Sequence, residues 1–591
     1  MSKDDLHLYY HTIRYLRPKQ VLFRLYYLIR RSWRRIKGFR YPAFLSCADL
    51  SLAAPALSLV PFIPTRISLQ DKSFNFLNRT KNFPDKIDWN CEEFGKLWLY
   101  NLNYFDYLLQ PGMKRDNGLA LIRSFVEHAG EEGAGYEPYP ISLRGVNWIK
   151  FLSLHDIGDR LKDAPDGGHT VSTTVTVNAA AIHASLYAQY RRLLDNIEYH
   201  LMGNHLLENG FSLLFGGAYF GDARLYRKAE EILREELDEQ ILSDGGHYER
   251  SPMYHQIILG RVLDGINLLK NNVMRSPSNL GGHAADAFRP FDELRAGLAK
   301  GDNKLQNLPS LLALLEEKAA RMLGWLCPMT YRDGSIPLVN DATYGIAPTS
   351  RDLFAYAASL GINPLEAPLG ESGYRKIAGD DYEAVLDVGA IGPDYIPGHA
   401  HADTLGFELR VGGSPVIVDT GTSTYEDNDL RHWQRSTRAH NTVEIDGESQ
   451  SEVWGSFRVA KRARVTKLRE SGDRIEVTHD GYGRLSGKPL HTRLWQFRAD
   501  GLQIRDRIDG DFREAVSRFY FHPEVRLMPS RESAAAGRIL LPAGREVRWQ
   551  IEKGRGSLTN TSHHPEFNIN LPNRCLEVYF DGPEACVEFV W

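Results

Sequence analysis

The sequence has few cysteines, no long apolar run and almost no net charge. Its cysteines are odd in number and lack the Cys-x-x-Cys spacing of zinc or redox sites, so neither a disulfide framework nor thiolate metal binding is expected: Cys47, Cys91, Cys327, Cys575 and Cys586. No apolar stretch reaches the length of a signal-peptide core or a membrane span. The 71 basic and 75 acidic residues leave a net charge of -4, which does not indicate a nucleic acid partner.

The basic residues are instead concentrated at the N-terminus. The first forty residues contain eleven Lys and Arg against two Asp, interleaved with Leu, Tyr, Phe and Ile. This pattern predicts a basic amphipathic helix, not an export signal. Such a helix can lie on an anionic membrane surface, but docking on its own domain is the commoner outcome. We expect a cytoplasmic protein with no transmembrane segment; a periplasmic or secreted location stays open, because not every export signal is recognisable.

A chain of 591 residues is too long for a single core and predicts several domains. Repeated apolar residues at three- and four-residue spacing predict helices over 179–199, 216–241 and 254–271, arranged as a bundle, a solenoid or a closed toroid. Many short alternating segments follow from about residue 370 and predict a β-sandwich. We therefore predict a multidomain α+β protein. Its parts are a basic helix with lead-in at 1–95, a helical domain at 96–370 and a β domain at 371–591. Residues 275–304 look like a surface excursion.

Early in the predicted β domain lies a group of metal-ligand residue types. The two histidines of Gly398-His399-Ala400-His401-Ala402-Asp403 point to opposite faces if they lie on a strand, so His401 could bind a metal while His399 faces another space. A hairpin turning at residues 412–415 returns Asp419 beside His401, and His440 follows in the next loop. Two imidazoles and one carboxylate suit zinc, with manganese or another divalent ion left open. The alternative is a set of unrelated loop and strand residues.

Two stretches of the helical domain have residue types that suit an acidic sugar. Arg144, Asn147 and Trp148 offer a guanidinium fork, an amide and an indole face to a carboxylate-bearing ring. Asn204 and His205 are adjacent and can donate hydrogen bonds to an anion. The alternatives are a capped helix start with a core tryptophan, and a buried structural asparagine.

A third stretch predicts a tyrosine at the start of a helix. Ser251 is a good N-cap and Pro252 fits the first helical position, so Tyr254 falls in the first turn. Negative charge is favoured there by roughly 0.3–1 kcal/mol, which makes the Tyr254 phenolate more accessible. The alternative is a core tyrosine with a satisfied hydroxyl group.

Taken together, these stretches resemble the heparinase II/III family of polysaccharide lyases and its alginate-lyase relatives. The resemblance is carried by Asn204-His205, by Ser251-Pro252-Met253-Tyr254-His255, and by residues 398–403, 418–422 and 435–442. It implies an N-terminal α/α toroid packed on a C-terminal antiparallel β-sandwich, with a uronic-acid polysaccharide bound in the cleft between them.

The resemblance also implies a role for each motif residue. Asn204 would neutralise the uronate carboxylate, Tyr254 would be the catalytic acid or base, and His399 would be its partner. A zinc ion with a structural role would be held by His401, Asp419 and His440. The further residues predicted to bind substrate are Arg144, Asn147, Trp148, His205 and Arg438.

The implied reaction is β-elimination on a glycosaminoglycan of the hyaluronan, chondroitin or heparan type, which leaves a 4,5-unsaturated uronate end. Alginate or a bacterial exopolysaccharide is the second choice of substrate. The rival functions are a metal-dependent hydrolase and a non-catalytic polysaccharide-binding or assembly protein. Members that act on external polysaccharide usually carry an export signal, so its absence here leaves the source of the substrate open. The sequence does not indicate an oligomeric state.

Overall fold

The protein was analysed as a computed structural model that describes residues 3–45, 57–130, 132–155, 173–273, 310–530 and 535–591. The surface excursion predicted at 275–304 lies outside these residues. No helix in the described ranges is both long enough and apolar enough to cross a membrane.

The N-terminal segment consists of two helices and a small sheet. Helices α1 (Lys3–Ile13) and α2 (Pro18–Ile36) precede the antiparallel strands β1 (Leu69–Gln70), β2 (Ser73–Phe76) and β3 (Arg79–Asn82). Arg30 and Arg34 of α2 pair with Asp195, and Arg17 pairs with Glu239. The basic helix is therefore docked on its own protein, the commoner of the two expected outcomes.

Helices make up the next part of the chain, from residue 96 to residue 359. Their bounds are α3 Lys96–Tyr104, α4 Arg115–His128, α5 Pro138–Leu154, α6 Thr173–Asp195, α7 Gly203–Phe220, α8 Ala223–Gln240, α9 Pro252–Val273, α10 Leu311–Met329 and α11 Ser350–Ser359. Helices α3, α5, α7 and α9 pack side by side in sequence, α6 and α8 pack against this row, and α4 packs against α6. Helices α5 and α7 are buried on nearly every face, so apolar residues occur all round them, with a few buried polar ones such as Arg144 and Glu208 between.

One helix predicted from periodicity is broken in the structure. The pattern over 216–241 runs across the end of α7, where Gly221 takes a left-handed φ of 63°. Asp222 then caps α8, its carboxylate accepting from the backbone N–H of Arg224 at 2.8 Å. A glycine C-cap followed by an aspartate N-cap ends one helix and starts another without disturbing the apolar spacing.

Strands dominate from residue 374 to the C-terminus. They are β4 Tyr374–Ala378, β5 Tyr382–Asp387, β6 Phe407–Val411, β7 Ser414–Ile417, β8 Val443–Ile445, β9 Val453–Trp454, β10 Arg458–Val459, β11 Val465–Ser471, β12 Arg474–His479, β13 Leu490–Arg498, β14 Gly501–Asp509, β15 Ala515–Tyr520, β16 Arg526–Pro529, β17 Ala536–Leu540, β18 Glu546–Lys553, β19 Arg555–His563, β20 Leu571–Tyr579 and β21 Glu584–Val590. One short helix, α12 (Asp429–Arg435), lies among them. The change from helix to strand falls between Ser359 and Tyr374.

These strands form an eight-stranded antiparallel sheet in the order β11-β12-β13-β14-β21-β18-β17-β16, two four-stranded sheets, β19-β20-β15-β8 and β4-β5-β6-β7, and the separate pair β10-β9. Inward side chains from the three sheets meet in one core, for example Phe407, Trp495 and Phe519. The predicted fold class, helices followed by an antiparallel β domain, is confirmed. The β6–β7 hairpin with Gly412 and Gly413 at its turn is confirmed too.

Candidate active site

The predicted catalytic residues meet where the helical part contacts the β part. The ring of Tyr254, from α9, stacks on the imidazole of His399, with ring centroids 3.9 Å apart and planes inclined by 28°. The Tyr254 hydroxyl lies 3.3 Å from the hydroxyl of Tyr425, which belongs to the β part. The two aromatic side chains therefore join the two halves of the molecule at one point.

The local structure places Tyr254 as expected but does not give it the expected charge. Helix α9 begins at Pro252, and the Ser251 hydroxyl accepts from the Tyr254 backbone N–H at 3.4 Å, so the predicted N-cap is confirmed. Burial, the Tyr425 hydroxyl and the nearby carboxylates of Asp341 and Glu249 raise the pKa of Tyr254 well above its usual value. The prediction of a more accessible phenolate is wrong because these effects outweigh the helix terminus. The raised pKa favours the neutral phenol.

Asn204 is held at the start of α7 by an unusual backbone. Met202 and Gly203 both have left-handed φ values, 65° and 63°. This turn directs the Asn204 backbone N–H to Glu249 Oε1 at 3.1 Å and its side-chain amide to Oε2 at 3.4 Å. A β-carbon at Gly203 would lie only 2.7 Å from the Glu249 carboxylate, so glycine is needed there. Burial raises the pKa of Glu249, whose Oε2 lies 3.6 Å from His399 Nε2.

His399 and His401 share one carboxylate, while the His399 ring stacks on Tyr254 and the His401 ring lies beside His440. Residues 398–403 form a loop, so the strand on which the expected alternation depended is absent there. His399 Nδ1 and His401 Nε2 each lie 2.9 Å from an oxygen of Asp341, and Arg431 Nη2 donates to the same group at 2.7 Å. Burial alone would raise the pKa of Asp341, but Arg431 and the two histidines hold it well below its usual range.

The predicted metal ligands lie in one buried cluster. His440 Nδ1 is 2.7 Å from Asp419 Oδ2, and the rings of His401 and His440 are 5.2 Å apart. Within the described residues, no three His, Cys, Asp or Glu side chains are arranged so that they could already hold a metal ion. The donor types nevertheless fit one, because His401 Nδ1, His440 Nε2 and Asp403 Oδ2 are buried without a hydrogen-bond partner. Zinc therefore stays a prediction, with Asp403 as a second carboxylate beside Asp419.

Three predicted substrate-binding residues lie inside the helical core instead. Arg144 is fully buried and donates to Gln189 Oε1 at 2.8 Å and to the carbonyl oxygens of Asn103 and Gly135 at 3.0 and 2.8 Å. Asn147 donates to the Tyr104 carbonyl at 2.9 Å, and Trp148 is fully buried. The structure does not bring these three side chains to the Tyr254–His399 pair, because α5 is covered on all sides.

The other two predicted binding residues have different surroundings. His205, next to Asn204, lies 3.1 Å from Glu198 Oε1 and packs on the Tyr139 ring at 4.3 Å. Burial lowers the pKa of His205, but the Glu198 carboxylate outweighs burial and the pKa is raised, which suits an anion-binding role. Arg438 is half exposed beside Glu444 at 3.4 Å, and none of its contacts within the described residues involves Tyr254 or His399.

Sequence reasoning missed four residues of the site: Glu249, Asp341, Tyr425 and Arg431. Glu249 and Asp341 are isolated acids between elements, and such acids are usually solvent-exposed, so no pattern distinguished them. Arg431 lies on α12, just ahead of the 435–442 motif. Tyr425 follows the 418–422 motif by three residues. Proximity to those motifs was the only available signal for the latter two.

A second layer of hydrogen bonds supports the turn before Asn204. Gln240 on α8 donates to the Gly203 carbonyl at 3.0 Å and to Glu236 Oε2 at 2.7 Å, and its Oε1 lies 3.0 Å from His247 Nε2. Glu236 is fully buried, and burial raises its pKa to about 7. The turn before Asn204 is therefore supported, through Gln240, by a carboxyl group that stays protonated in mildly acidic solution.

This carboxyl group predicts a pH-dependent stability. A folded-state pKa near 7, above the usual value of 4.5, means that ionising Glu236 opposes folding as the pH rises through that window. Glu236→Gln should match wild type at pH 5 and exceed its stability at pH 8 by up to about 3 kcal/mol. Thermal unfolding at the two pH values measures this, with Glu235→Gln on the exposed side of α8 as control. An equal difference at both pH values would contradict the prediction.

Comparison with known protein families finds a match for the helical part and another for the β part of the chain. The family model described as "Heparinase II/III N-terminus" matches residues 146–278, and that described as "Heparinase II/III-like, C-terminal" matches residues 362–591. The heparin-sulfate lyase of Pedobacter heparinus is 23% identical in an alignment of 346 positions that covers 54% of this chain and 47% of that protein. The heparin-sulfate lyase of Bacteroides stercoris is 24% identical in an alignment of 354 positions that covers 56% of this chain and 48% of that protein. The chain thus spans about half the length of these curated relatives.

Solved structures share the fold. The crystal structure of heparinase III superposes with a TM-score of 0.62 at 15% identity, covering 92% of this chain and 86% of that one. Heparan sulfate lyase from Pedobacter heparinus superposes with a TM-score of 0.51 at 15% identity, covering 88% and 81%. Identities this low establish the architecture alone.

Proposed function

Because the chain belongs to the heparinase II/III family, we propose that it is a polysaccharide lyase that cleaves a uronic-acid-containing glycosaminoglycan by β-elimination. The observation that carries the proposal is the stacking of Tyr254 on His399 at 3.9 Å, beside Asn204, which is linked to His399 through Glu249. An acid, a base and an amide donor are the three groups that this reaction requires.

The chemistry explains why the amide is needed. β-Elimination removes the proton on C5 of the uronate and expels the oxygen on C4, which leaves a C4–C5 double bond. The C5 proton is hardly acidic beside an ionised carboxylate, so negative charge that spreads onto the carboxyl group must be stabilised. Asn204 and His205 would donate to that group. Removing one donor of this kind typically costs about 10²–10³ in rate.

The surroundings of the two aromatic groups support a division of roles. The neutral phenol of Tyr254 suits donation of a proton to the leaving C4 oxygen. His399 Nδ1–H can donate a hydrogen bond to the Asp341 carboxylate, and Nε2 then carries the lone pair that accepts the C5 proton. Two separate groups can act on opposite faces of the sugar ring. The alternative route, in which Tyr254 alone acts on one face, would need the Tyr254 phenolate to take the C5 proton first, and the raised pKa of Tyr254 disfavours that form.

Heparan-type chains are the substrates that we favour, because the two curated relatives are named heparin-sulfate lyases. The test is the ultraviolet absorbance of the 4,5-unsaturated uronate, followed on heparan sulfate, heparin, hyaluronan, chondroitin sulfate and alginate. A rise on heparan sulfate is the expected result, and a rise on another polymer would reassign the substrate. Released reducing ends without absorbance would replace the lyase by a hydrolase. Silence in both assays on all five polymers would contradict a glycosaminoglycan lyase.

We further propose a divalent ion, zinc first and manganese second, at His401, Asp419 and His440. His401 Nε2 contacts Asp341, which is the outer hydrogen bond usual for an imidazole that binds a metal, and His401 Nδ1 and His440 Nε2 are left without a hydrogen-bond partner. When bound, the ion would supply structural cross-linking between the His401 loop and the loop that carries His440.

Metal analysis of the purified protein tests this site. We expect about one zinc per chain. His440→Ala should lose the ion and melt at a lower temperature, whereas His479→Ala, another buried histidine of the β part, should keep it. Chelation should lower the melting temperature of wild type to that of His440→Ala. A wild-type protein that takes up no divalent ion after incubation with zinc would contradict the assignment.

A further inference from the structure

Helix α2 docks on the protein through its polar and aromatic side. Gln20, Tyr27, Arg30 and Arg34 hydrogen-bond to the 195–201 segment, and the Phe23 ring packs on Tyr199 at 4.6 Å. These residues recur at three- and four-residue spacing, so they lie on one face of the helix. The usual amphipathic arrangement would place the apolar face there instead.

The apolar face of α2 points to solvent. Leu22, Leu25, Ile29, Trp33 and Ile36 also recur at three- and four-residue spacing, on the side opposite the docked face. Their exposed fractions run from 55% for Leu25 to 82% for Ile36. Helix α1 continues this character, because Leu6, Tyr10 and Ile13 share a face and are more than half exposed. Large apolar side chains exposed in this density mark an interaction surface.

Cations are exposed on and just after the same turns of α2. Arg31, Arg35 and Lys37 are exposed and make no ion pair within the described part of the chain. They belong to the segment in which eleven basic residues face only two acidic ones. The partner must therefore combine an apolar region that these side chains can enter with negative charge beside it.

We propose that the outward face of α1 and α2 binds the surface of a bilayer that contains anionic phospholipids, with α2 lying in the plane of the interface. The apolar arc would enter the acyl boundary, Trp33 would sit at headgroup level, and the arginines would contact lipid phosphates. A second copy of the chain fits less well, because a two-fold contact pairs this same basic surface with itself and supplies no negative charge. An acidic polysaccharide would leave the apolar arc uncovered.

Vesicle co-sedimentation of the full chain tests the proposal. Wild type should pellet with vesicles of phosphatidylcholine and phosphatidylglycerol, and far less with phosphatidylcholine alone. The variant Leu25→Asn/Ile29→Asn/Trp33→Asn should lower the bound-to-free ratio at least about tenfold. The matched control is Leu468→Asn/Leu490→Asn/Leu571→Asn, which changes three exposed leucines of the β part and should bind like wild type. Equal melting temperatures would show that both variants are folded.

The other outcomes each overturn the proposal. Failure of wild type to pellet with anionic vesicles, or full binding by the α2 variant, would remove the membrane surface as partner. A concentration-dependent dimer that the α2 variant abolishes, with no vesicle binding, would assign the face to a second copy.

Arg31→Gln/Arg35→Gln should weaken binding to anionic vesicles and reduce the sensitivity of this binding to salt. An unchanged salt dependence would exclude the two arginines from the contact.

Discussion

Tyr254→Phe is expected to lower kcat on the substrate polymer by about 10²–10⁴-fold, the range that general acid–base groups contribute. The change removes one hydroxyl group and keeps the ring that stacks on His399 at 3.9 Å. The proton donor to the leaving C4 oxygen is lost while the stacked pair stays in place. KM should change little, because the ring contact and Asn204 are retained. Absorbance of the unsaturated product, measured at several substrate concentrations, separates the two constants.

Tyr425→Phe is the matched control for this prediction. Its hydroxyl lies 3.3 Å from that of Tyr254, and its removal also leaves a ring in place. We expect less than about a tenfold loss, because Tyr425 orients the Tyr254 hydroxyl without itself donating to the sugar. A Tyr254→Phe enzyme within tenfold of wild type would remove Tyr254 from catalysis. A larger loss of kcat in Tyr425→Phe than in Tyr254→Phe would indicate that Tyr425 is the proton donor and that Tyr254 orients it.

Asp341→Asn is expected to give the largest loss of stability, about 3–5 kcal/mol, because it leaves the fully buried Arg431 guanidinium without its counterion. The stabilisation by Asp341 has a definite pH dependence. Since its folded-state pKa is held well below the usual Asp range, the stabilisation is present above the unfolded value and is lost as the pH falls through the folded one. The stability of Asp341→Asn should therefore lack the part of the pH dependence that the Asp341 carboxylate contributes.

Urea unfolding of wild type, Asp341→Asn, Arg431→Met and the double variant measures the coupling. Removing both charges leaves no unpaired buried ion, so the double variant should lose less stability than the sum of the single losses. Additive losses would show that Arg431 does not depend on Asp341. The Asn variant should also lose activity, because His399 loses the carboxylate that orients its ring.

Local signals in the sequence were enough for the architecture and for part of the site. Ser251 and Pro252 start α9 where capping chemistry predicts, and two glycines close the β6–β7 hairpin. These features depend on residues close together in the chain, so they can be derived without a fold.

The residues that were misplaced or missed depend on distant parts of the chain. Arg144 has the residue type of a carboxylate binder, but its hydrogen bonds go to Gln189, Asn103 and Gly135 inside the helical core. Whether an arginine meets a ligand or its own backbone is decided by the packing of α5 against its neighbours. Asp341 likewise acquires its role only because the β part brings His399 and Arg431 to it.

The shared Asp341 carboxylate limits what single substitutions can reveal. His399 and His401 hold the two oxygens of one group, so changing either histidine frees an acceptor beside the other. Loss of activity in His401→Ala would therefore not distinguish loss of the proposed ion from reorientation of the His399 ring. His440 contacts Asp419 instead, so its substitution tests the proposed ion without disturbing the Asp341 carboxylate. Genetic dissection of this centre should begin at His440.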